Sequence, residues 1–313
     1  MNKKSPSVSV IIPIFNCGSF LEQCLNSVSR QTFSDFEALL IYTPSEDKTL
    51  EIARRFCEKD KRFSILPGEG MAGGCRNVGI RHAKGEYLSF IDGDDSIRPQ
   101  FLEKLIQAAR KTSADIAVCG YCYFYENKQK LKMPLMKTHT RLLTQEQALK
   151  ELLRDHTMRF YLWNKLWKRS LFLDNEIEIP DMYYEDAVAC TRLFSAARLV
   201  ISLRYCGYEY RRAFSRFREA TMTGQRINDY VNTVPLMRLT LEERGLYAAV
   251  KPSFQPHVLH VLLSAPLLTA QASEDLQKGM WENTLTAMKK VVSCCVMSKK
   301  TLQSYDIQKT KVE

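Results

Sequence analysis

The sequence predicts an α/β fold, a mostly parallel sheet flanked by helices and followed by an α-helical C-terminal extension. Three observations carry this. Short β-branched runs alternate with helical-period segments through the first 125 residues, the pattern of βαβ units. Those runs are apolar on both faces, as strands covered on both sides must be. Beyond about residue 225 only the helical period remains. A chain of 313 residues with 45% apolar side chains has enough material for a sizeable core.

The elements follow in order. Residues 8–15, VSVIIPIF, form a first strand bounded by Pro6 and by Asn16 to Gly18. Ser19-Phe-Leu-Glu22 reads as a capping box opening a helix, with Phe20, Leu21, Cys24, Leu25 and Val28 on one side. FEALLIY, 36–42, is the second strand, TPSED a turn, and a helix begins near Asp47 with Leu50, Ala53, Phe56 and Cys57 inward. RFSILP, 62–67, is the third strand. GGCRNVGIRHAKG is a helix closed by Gly85, a C-terminal cap signal. YLSFI, 87–91, is the fourth strand. Pro99 suits the first position of a helix that buries Phe101, Leu102, Leu105, Ile106 and Ala109. ADIAVCGYCYFY is the fifth strand. Residues 126–140 are polar and basic and read as a loop. Residues 144–200 read as mostly helical with an interruption near Asp174 to Asp181. Residues 225–300 read as helical, with Gly245 closing one helix, Pro252 and Pro256 marking a break, and Ser273 to Ser298 forming another helix.

Composition narrows the class. A formal net charge of +10 suits anionic partners such as nucleotide phosphates, and no nucleic-acid-binding motif is visible. The ten cysteines have no regular spacing and read as reduced, cytosolic thiols. Cys119-Gly-Tyr-Cys122 lies on a strand, where residues three apart face opposite ways, so it reads as packing rather than a redox pair. His257 and His260 lack a carboxylate or Cys partner and read as structural. MNKKSPS leads straight into a strand, so no signal peptide is expected. The longest apolar stretch, 258–270, is too short to span a bilayer and contains Pro266. The expected location is cytoplasmic. A peripheral contact with the inner face of the plasma membrane and a homodimer stay open.

The chemistry gathers at YLSFIDGDDSIRP, 87–99. Three carboxylates, Asp92, Asp94 and Asp95, follow a buried run, where like charges repel. Asp-Gly alone is a turn signal, but a turn accounts for one Asp. A hard divalent cation, Mg²⁺ or Mn²⁺, would offset the repulsion, and such an ion usually completes its shell with water and substrate phosphates. A phosphoaspartate site would be expected after the first strand. Neither a G-x-G-x-x-G after the first strand nor a P-loop is present. In open α/β sheets ligands sit beyond the carboxyl ends of strands, where Pro13 to Asn16, Thr43 to Asp47 and Asp92 to Asp95 all fall.

Together these segments resemble the family 2 glycosyltransferases, inverting enzymes of GT-A fold, especially bacterial ones that build surface polysaccharides. The matching segments in order are VSVIIPIFN (8–16), FLEQCLNSVSRQTFSDFEALLI (20–41), DKTLEI (47–52), CRNVGIRHAKGEYLSFIDGDD (75–95), ADIAVCGY (114–121), NKLWKRSLF (164–172), YYEDAVAC (183–190) and YEYRR (208–212). The likeness implies a catalytic domain over 1–220, with a nucleotide-sugar half to about 125 and an acceptor half from about 126. A helical extension, 221–313, lies outside it.

Resemblance also implies roles. Pro13, Phe15 and Asn16 would line the nucleotide pocket. Asp94 would be the metal ligand, with Asp92 beside the ribose and diphosphate and sharing the metal, Gly93 between them, and Asp95 facing the donor sugar. Arg76 and Asn77 would lie beside the donor. Glu185 and Asp186 match the acidic pair that provides the general base, with Asp186 favoured. Arg211, Arg212 and Arg216 would hold the diphosphate. The implied partners are a nucleotide-sugar donor, UDP-linked, and a glycan or lipid-linked acceptor. Two departures stand out. Thr43-Pro44 replaces the acidic residue and Gly that follow the second strand in the family, and Thr accepts a hydrogen bond less strongly than a carboxylate. EGMAGG, 69–74, differs from the more usual N-G-G-x-S-x. A non-catalytic member with a degraded donor pocket and a nucleotidyltransferase are the competing readings.

Overall fold

A computed structural model describes residues 5–124, 139–156, 158–211, 223–270, 284–286, 288–289 and 291–292. The first half follows the alternation. Strand β1 (Val8–Ile14) leads to α1 (Gly18–Ser29), β2 (Phe36–Tyr42), α2 (Thr49–Lys59), β3 (Phe63–Pro67), α3 (Ala72–His82), β4 (Tyr87–Phe90), the short β5 (Ser96–Ile97), α4 (Phe101–Thr112) and β6 (Ile116–Phe124). β1 pairs in parallel with β2 and β4, and β2 with β3. Alternation on β1 divides the core. Val8, Val10, Ile12 and Ile14 join α1, α2 and α4 in one layer, while Ile11 joins α3 in the other.

The second half is where the sheet becomes mixed. After β7 (Arg141–Thr144) and α5 (Gln145–Leu153) come β8 (Lys165–Lys168), α6 (Ser170–Leu173), α7 (Glu185–Ala196) and the long β9 (Leu199–Arg211). Among the described residues the strand order is β3-β2-β1-β4-β8-β6-β9-β5, with β7 on β9. β8 runs antiparallel between β4 and β6, and β9 is parallel to β6 but antiparallel to β5 and β7. Region 144–200 is therefore less helical than its sequence suggests. β8 is four residues long with a lysine at each end, and its strand state comes from neighbours far away in sequence rather than from its own pattern.

Helices α8 (Gly224–Glu243) and α9 (Tyr247–Ala270) pack over the α3 side through Ile227, Val231, Val234, Val250, Phe254 and Val261. Gly245, at φ +69°, closes α8 as expected. The break at Pro252 and Pro256 does not occur, because α9 runs through both and through Pro266. Each interior proline costs about 3 kcal/mol, so burial of the α9 face outweighs local propensity. The expected helix from Ser273 falls largely outside the described residues. No helix among the described residues is long and apolar enough to cross a membrane.

Three further expectations are corrected. Ser19 and Glu22 do not cap α1, whose first residue is Gly18. The cap comes instead from the next loop, where Asp47 Oδ2 accepts from the Gly18 N–H at 2.8 Å and Thr49 Oγ1 from the Cys17 N–H at 3.0 Å. Gly85 is not a left-handed cap, since α3 ends at His82 with an extended Ala83. A Cβ at Gly85 would collide with the Ser9 backbone, so glycine is needed there for close packing. Pro99 precedes the α4 cap residue, Gln100, instead of starting the helix. The α4 stripe is buried as read, and so are Cys119 and Cys122, both free thiols. His257 is half-buried against Phe160, and desolvation lowers its pKa to about 4, which suits a neutral packing residue.

Candidate active site

The carboxyl ends of β1, β2 and β4 bring three loops together. Asn16, in a left-handed conformation at φ +44°, ties two of them. Its N–H donates to Ser45 Oγ at 3.0 Å and its Oδ1 accepts from the Glu46 N–H at 3.0 Å. Phe15 stands 59% exposed at the head of this loop. Gly93 is buried, and a Cβ there would press on Cys17 Sγ and the Pro13 carbonyl at 3.0 and 3.1 Å. Thr43 donates its N–H to the Ile14 carbonyl at 3.1 Å, and its hydroxyl lies 3.3 Å from Cys75 Sγ. Tyr42 to Asp47 form without a left-handed residue, so Pro44 is accommodated where the family has glycine. Asp47 works as the cap of α1.

Asp92, Asp94 and Asp95 have separate surroundings. Asp95 is 1% exposed, with Oδ2 accepting from the Tyr208 hydroxyl and Oδ1 from the Arg211 N–H, each at 2.7 Å. Burial, with Asp94 and Asp92 alongside, pushes its pKa well above the usual carboxylate range against these two bonds. Tyr208 also accepts from the Asp92 N–H at 3.2 Å, so one phenol contacts both ends of the turn. Arg211 donates from Nε to the Asp94 carbonyl at 2.8 Å and from Nη2 to Gln23 at 2.5 Å, under the Phe20 ring. Arg212 and Arg216 lie outside the described residues.

Arg76 joins the two halves. It is buried inside α3, and its guanidinium donates to Asp92 Oδ1 at 2.8 Å and Glu185 Oε1 at 2.5 Å, with Asp186 Oδ1 at 3.9 Å. Burial works against its charge, but Asp92, Glu185 and Asp186 together hold its pKa above the ordinary value. Asn77, one residue on, makes a two-way clamp with the backbone of Ile179, at 2.8 and 2.9 Å. Its amide is therefore engaged in docking the loop that precedes α7.

Glu185 and Asp186 open α7 after Tyr184, itself left-handed at φ +62°. Asp186 Oδ2 accepts from the Leu162 N–H at 3.4 Å, while its buried Oδ1 has no hydrogen-bond partner. Burial and the Glu185 charge raise its pKa, Arg76 opposes them, and the result is pushed up to about 8.

Sequence reasoning passed over Asp181, whose Oδ1 accepts from the N–H groups of Met71 and Gly74 at 2.8 and 2.9 Å and caps α3. It also explains the unusual EGMAGG, because a Cβ at Gly73 would collide with the Pro180 carbonyl. Lys165 was missed too. It is fully buried, and its ammonium donates to the carbonyls of Arg159 and Tyr161 and to Asn164 Oδ1. A lysine at the edge of a short apolar run gives no sequence signal of this.

One arginine thus joins the acidic turn after β4 to the acidic start of α7. The model of the family "Glycosyl transferase family 2" matches residues 9–170, and the chain belongs to that family. It is 34% identical over 170 residues to the uncharacterized glycosyltransferase EpsJ of Bacillus subtilis (strain 168), covering 53% of this chain and 49% of that protein. The chain thus spans about half the length of that curated relative. In three dimensions it resembles S. aureus TarS 1-349 solved with UDP-GlcNAc, at TM-score 0.65 and 18% identity over 96% of this chain and 91% of that one. It also resembles the mannosyltransferase PcManGT from Pyrobaculum calidifontis solved with GDP-Man and Mn2+, at TM-score 0.51 and 16% identity over 94% and 87%. The fold is GT-A, with a helical C-terminal region.

Proposed function

We propose that the protein is an inverting glycosyltransferase that moves a sugar from a nucleoside-diphosphate donor, UDP-linked, to a hydroxyl of a glycan or lipid-linked acceptor in cell-surface polysaccharide synthesis. The observation that carries this reading is Asp186. Its Oδ1 lacks a hydrogen-bond donor, it sits beside Arg76, and its pKa is raised to about 8. A carboxylate kept basic and within one side chain of the donor carboxylates suits a general base that takes the acceptor proton. Glu185 is less suited, being tied to Arg76 at 2.5 Å.

The donor would lie across Pro13 to Asn16 and Thr43, with its diphosphate at Asp92 to Asp94. The donor set fits a divalent cation shared with substrate. Among the described residues no three His, Cys, Asp or Glu converge, so Asp92 and Asp94 would hold Mn²⁺ or Mg²⁺ with the remaining ligands from diphosphate and water. Such an ion supplies charge neutralisation for the departing diphosphate. Arg76 holds Asp92 at a fixed distance from the Glu185–Asp186 pair, and so sets the spacing between the donor and base stations. Arg211 keeps the Asp94 turn in place through its carbonyl. Asp186 accepts the acceptor proton as the hydroxyl attacks the face opposite the nucleotide, which inverts the anomeric centre.

The test is thermal-shift binding of UDP, GDP and CDP with and without Mn²⁺ or Mg²⁺, followed by nucleotide release from the matching sugars. The expected result is a metal-dependent shift with UDP and release of UDP on adding an acceptor glycan. No shift with any nucleotide would favour a GT-A shell in which Thr43-Pro44 has removed donor binding.

A further inference from the structure

The chain that leads into the Glu185–Asp186 pair is held at alternate residues. Asn77 bonds both the N–H and the carbonyl of Ile179, and Asp181 accepts from the N–H groups of Met71 and Gly74. Both of these holds come from α3 and its cap. The next comes from elsewhere. Tyr183 donates its N–H to Asp229 Oδ2 at 3.0 Å, and Asp229 stands on α8. That helix lies beyond residues 9–170, which the family model matches.

The same turn of α8 also reaches the rings on either side of the bond. Arg226 lies over the Tyr183 ring at 4.7 Å, and the Tyr184 ring meets Tyr230 at 4.9 Å. Tyr184, at φ +62°, is the residue from which α7 starts, and its side chain makes no capping hydrogen bond. A left-handed backbone is unfavourable for a bulky residue and persists only where its surroundings impose it. The Tyr184 side chain is exposed, so core burial does not impose it. The contacts to α8 do, with the Ala187 N–H on the Tyr184 carbonyl at 3.2 Å closing the turn.

Asp229 is half-buried, makes no ion pair among the described residues, and its side chain accepts there from the Tyr183 N–H alone. A carboxylate partly withdrawn from water without a cation is costly to keep, and that N–H is what it serves. Asp186 depends on the result. Arg76 ties Glu185 at 2.5 Å but only approaches Asp186, at 3.9 Å, and the Leu162 N–H reaches Asp186 at 3.4 Å. The backbone turn, more than any side-chain bond, therefore sets where Asp186 stands.

We infer that Asp229 is a positioning residue for the base: by holding the Tyr183 N–H it fixes the left-handed turn at Tyr184, and with it the place of Asp186 relative to Arg76 and Asp92. This rests on the glycosyltransferase reading and makes α8 a working part of that site. Asp186 is three residues from Tyr183, so a swing of the backbone at Tyr184 moves the first turn of α7 and the carboxylates on it. A displacement of about 1 Å at a reacting group can cost up to about a hundred-fold in rate.

The test uses the full chain. Hydrogen exchange is read by mass spectrometry, and nucleotide release to water is measured in parallel from UDP-glucose, UDP-galactose and UDP-N-acetylglucosamine. Asp229→Ala is expected to speed exchange over Tyr183 to Ala187 by about ten-fold. It should lower kcat by about ten-fold, with the donor KM within about two-fold of the parent. Asp229→Asn keeps an oxygen for the Tyr183 N–H and is expected to restore both. Val234→Ala thins the core packing of α8 away from this bond. It should lower Tm while exchange over Tyr183 to Ala187 and kcat stay within about two-fold. Parental exchange in Asp229→Ala, faster exchange with parental kcat, or an equal kcat loss in Val234→Ala would overturn the inference. Exchange is read without turnover, so failure of the transfer reading shows separately, as a parent that releases nucleotide from none of these donors.

Discussion

Asp95 and Asp186 are both buried carboxylates whose pKa burial raises, and they differ in what surrounds them. Asp95 has a donor for each oxygen, Tyr208 and the Arg211 N–H. Asp186 has one long bond from Leu162, and an Oδ1 without a partner. Hydrogen bonds to a buried carboxylate offset part of its desolvation, so Asp95, though burial raises its pKa as well, ties the turn it closes to Tyr208 and Arg211. Asp186 is left strained toward protonation. The same residue type thus holds structure in one place and stores basicity in the other, and mutation should tell the two apart.

The largest separation is expected from Asp186→Asn. If Asp186 is the proposed base, its loss should reduce transfer by about 10²–10⁴-fold, measured as acceptor-dependent nucleotide release. Stability should move the other way. A carboxylate whose folded pKa is about 8 against an ordinary 3.8 binds more protons folded than unfolded between those values. Its favourable contribution is therefore complete below pH 3.8 and is lost as pH rises toward 8. The neutral Asn should raise Tm at pH 8, and the gain should shrink toward pH 4. A lower Tm at pH 8 would remove the argument that Asp186 is held in an unfavourable ionised state.

Arg76→Ala comes next. It leaves Asp92, Glu185 and Asp186 without their shared cation, and breaking a buried ion pair from one side costs about 3–5 kcal/mol. Urea unfolding should show that loss. Arg76→Lys should recover only part of it, since an ammonium cannot span Asp92 and Glu185 as the planar fork does.

How far the sequence foretold this differs between the same two regions. Around Asp95 the strands were legible, because β1, β2 and β4 are continuous apolar runs paired with near neighbours. The acidic turn itself was visible as a charge anomaly. Around Asp186 much less was legible. β8 and β9 owe their state to pairings with distant residues, and the lysines of β8 hide its period. Glu185 and Asp186 read as an ordinary acidic helix start until the family resemblance gave them a role. Their convergence with Asp92 depends on Arg76, 109 residues before Glu185 in the chain, and a helix arginine reads as surface. The alternations Tyr121/Tyr123 on β6 and Tyr208/Tyr210 on β9 did carry a signal, aromatic residues two apart on one face of each strand.

A third variant sharpens the contrast through pH rather than mutation alone. If Asp186 is the base, acceptor-dependent turnover should rise about ten-fold per pH unit below its pKa and level near pH 8, where the carboxylate is ionised. Asp95→Asn should leave that profile where it is, and should show instead as a stability loss of about 1–3 kcal/mol, because the amide cannot accept at both former carboxylate positions. A profile displaced by Asp95→Asn would mean the two carboxylates titrate as one unit.

The smallest effect belongs to Tyr208→Phe. The ring remains in its stack with Trp163, so packing is conserved and only the hydroxyl is removed. That hydroxyl donates to Asp95 and accepts from the Asp92 N–H, and the second bond is long at 3.2 Å. Asp95 keeps the Arg211 N–H as a donor, so one oxygen and not both loses its partner. A net loss of about 1–2 kcal/mol follows, read by urea unfolding. In the double variant with Asp95→Asn the losses should fall short of their sum, since each single change already breaks the shared bond. Full additivity would mean that the Tyr208 hydroxyl acts mainly on the Asp92 backbone, and the turn would then be held from its first residue rather than its last.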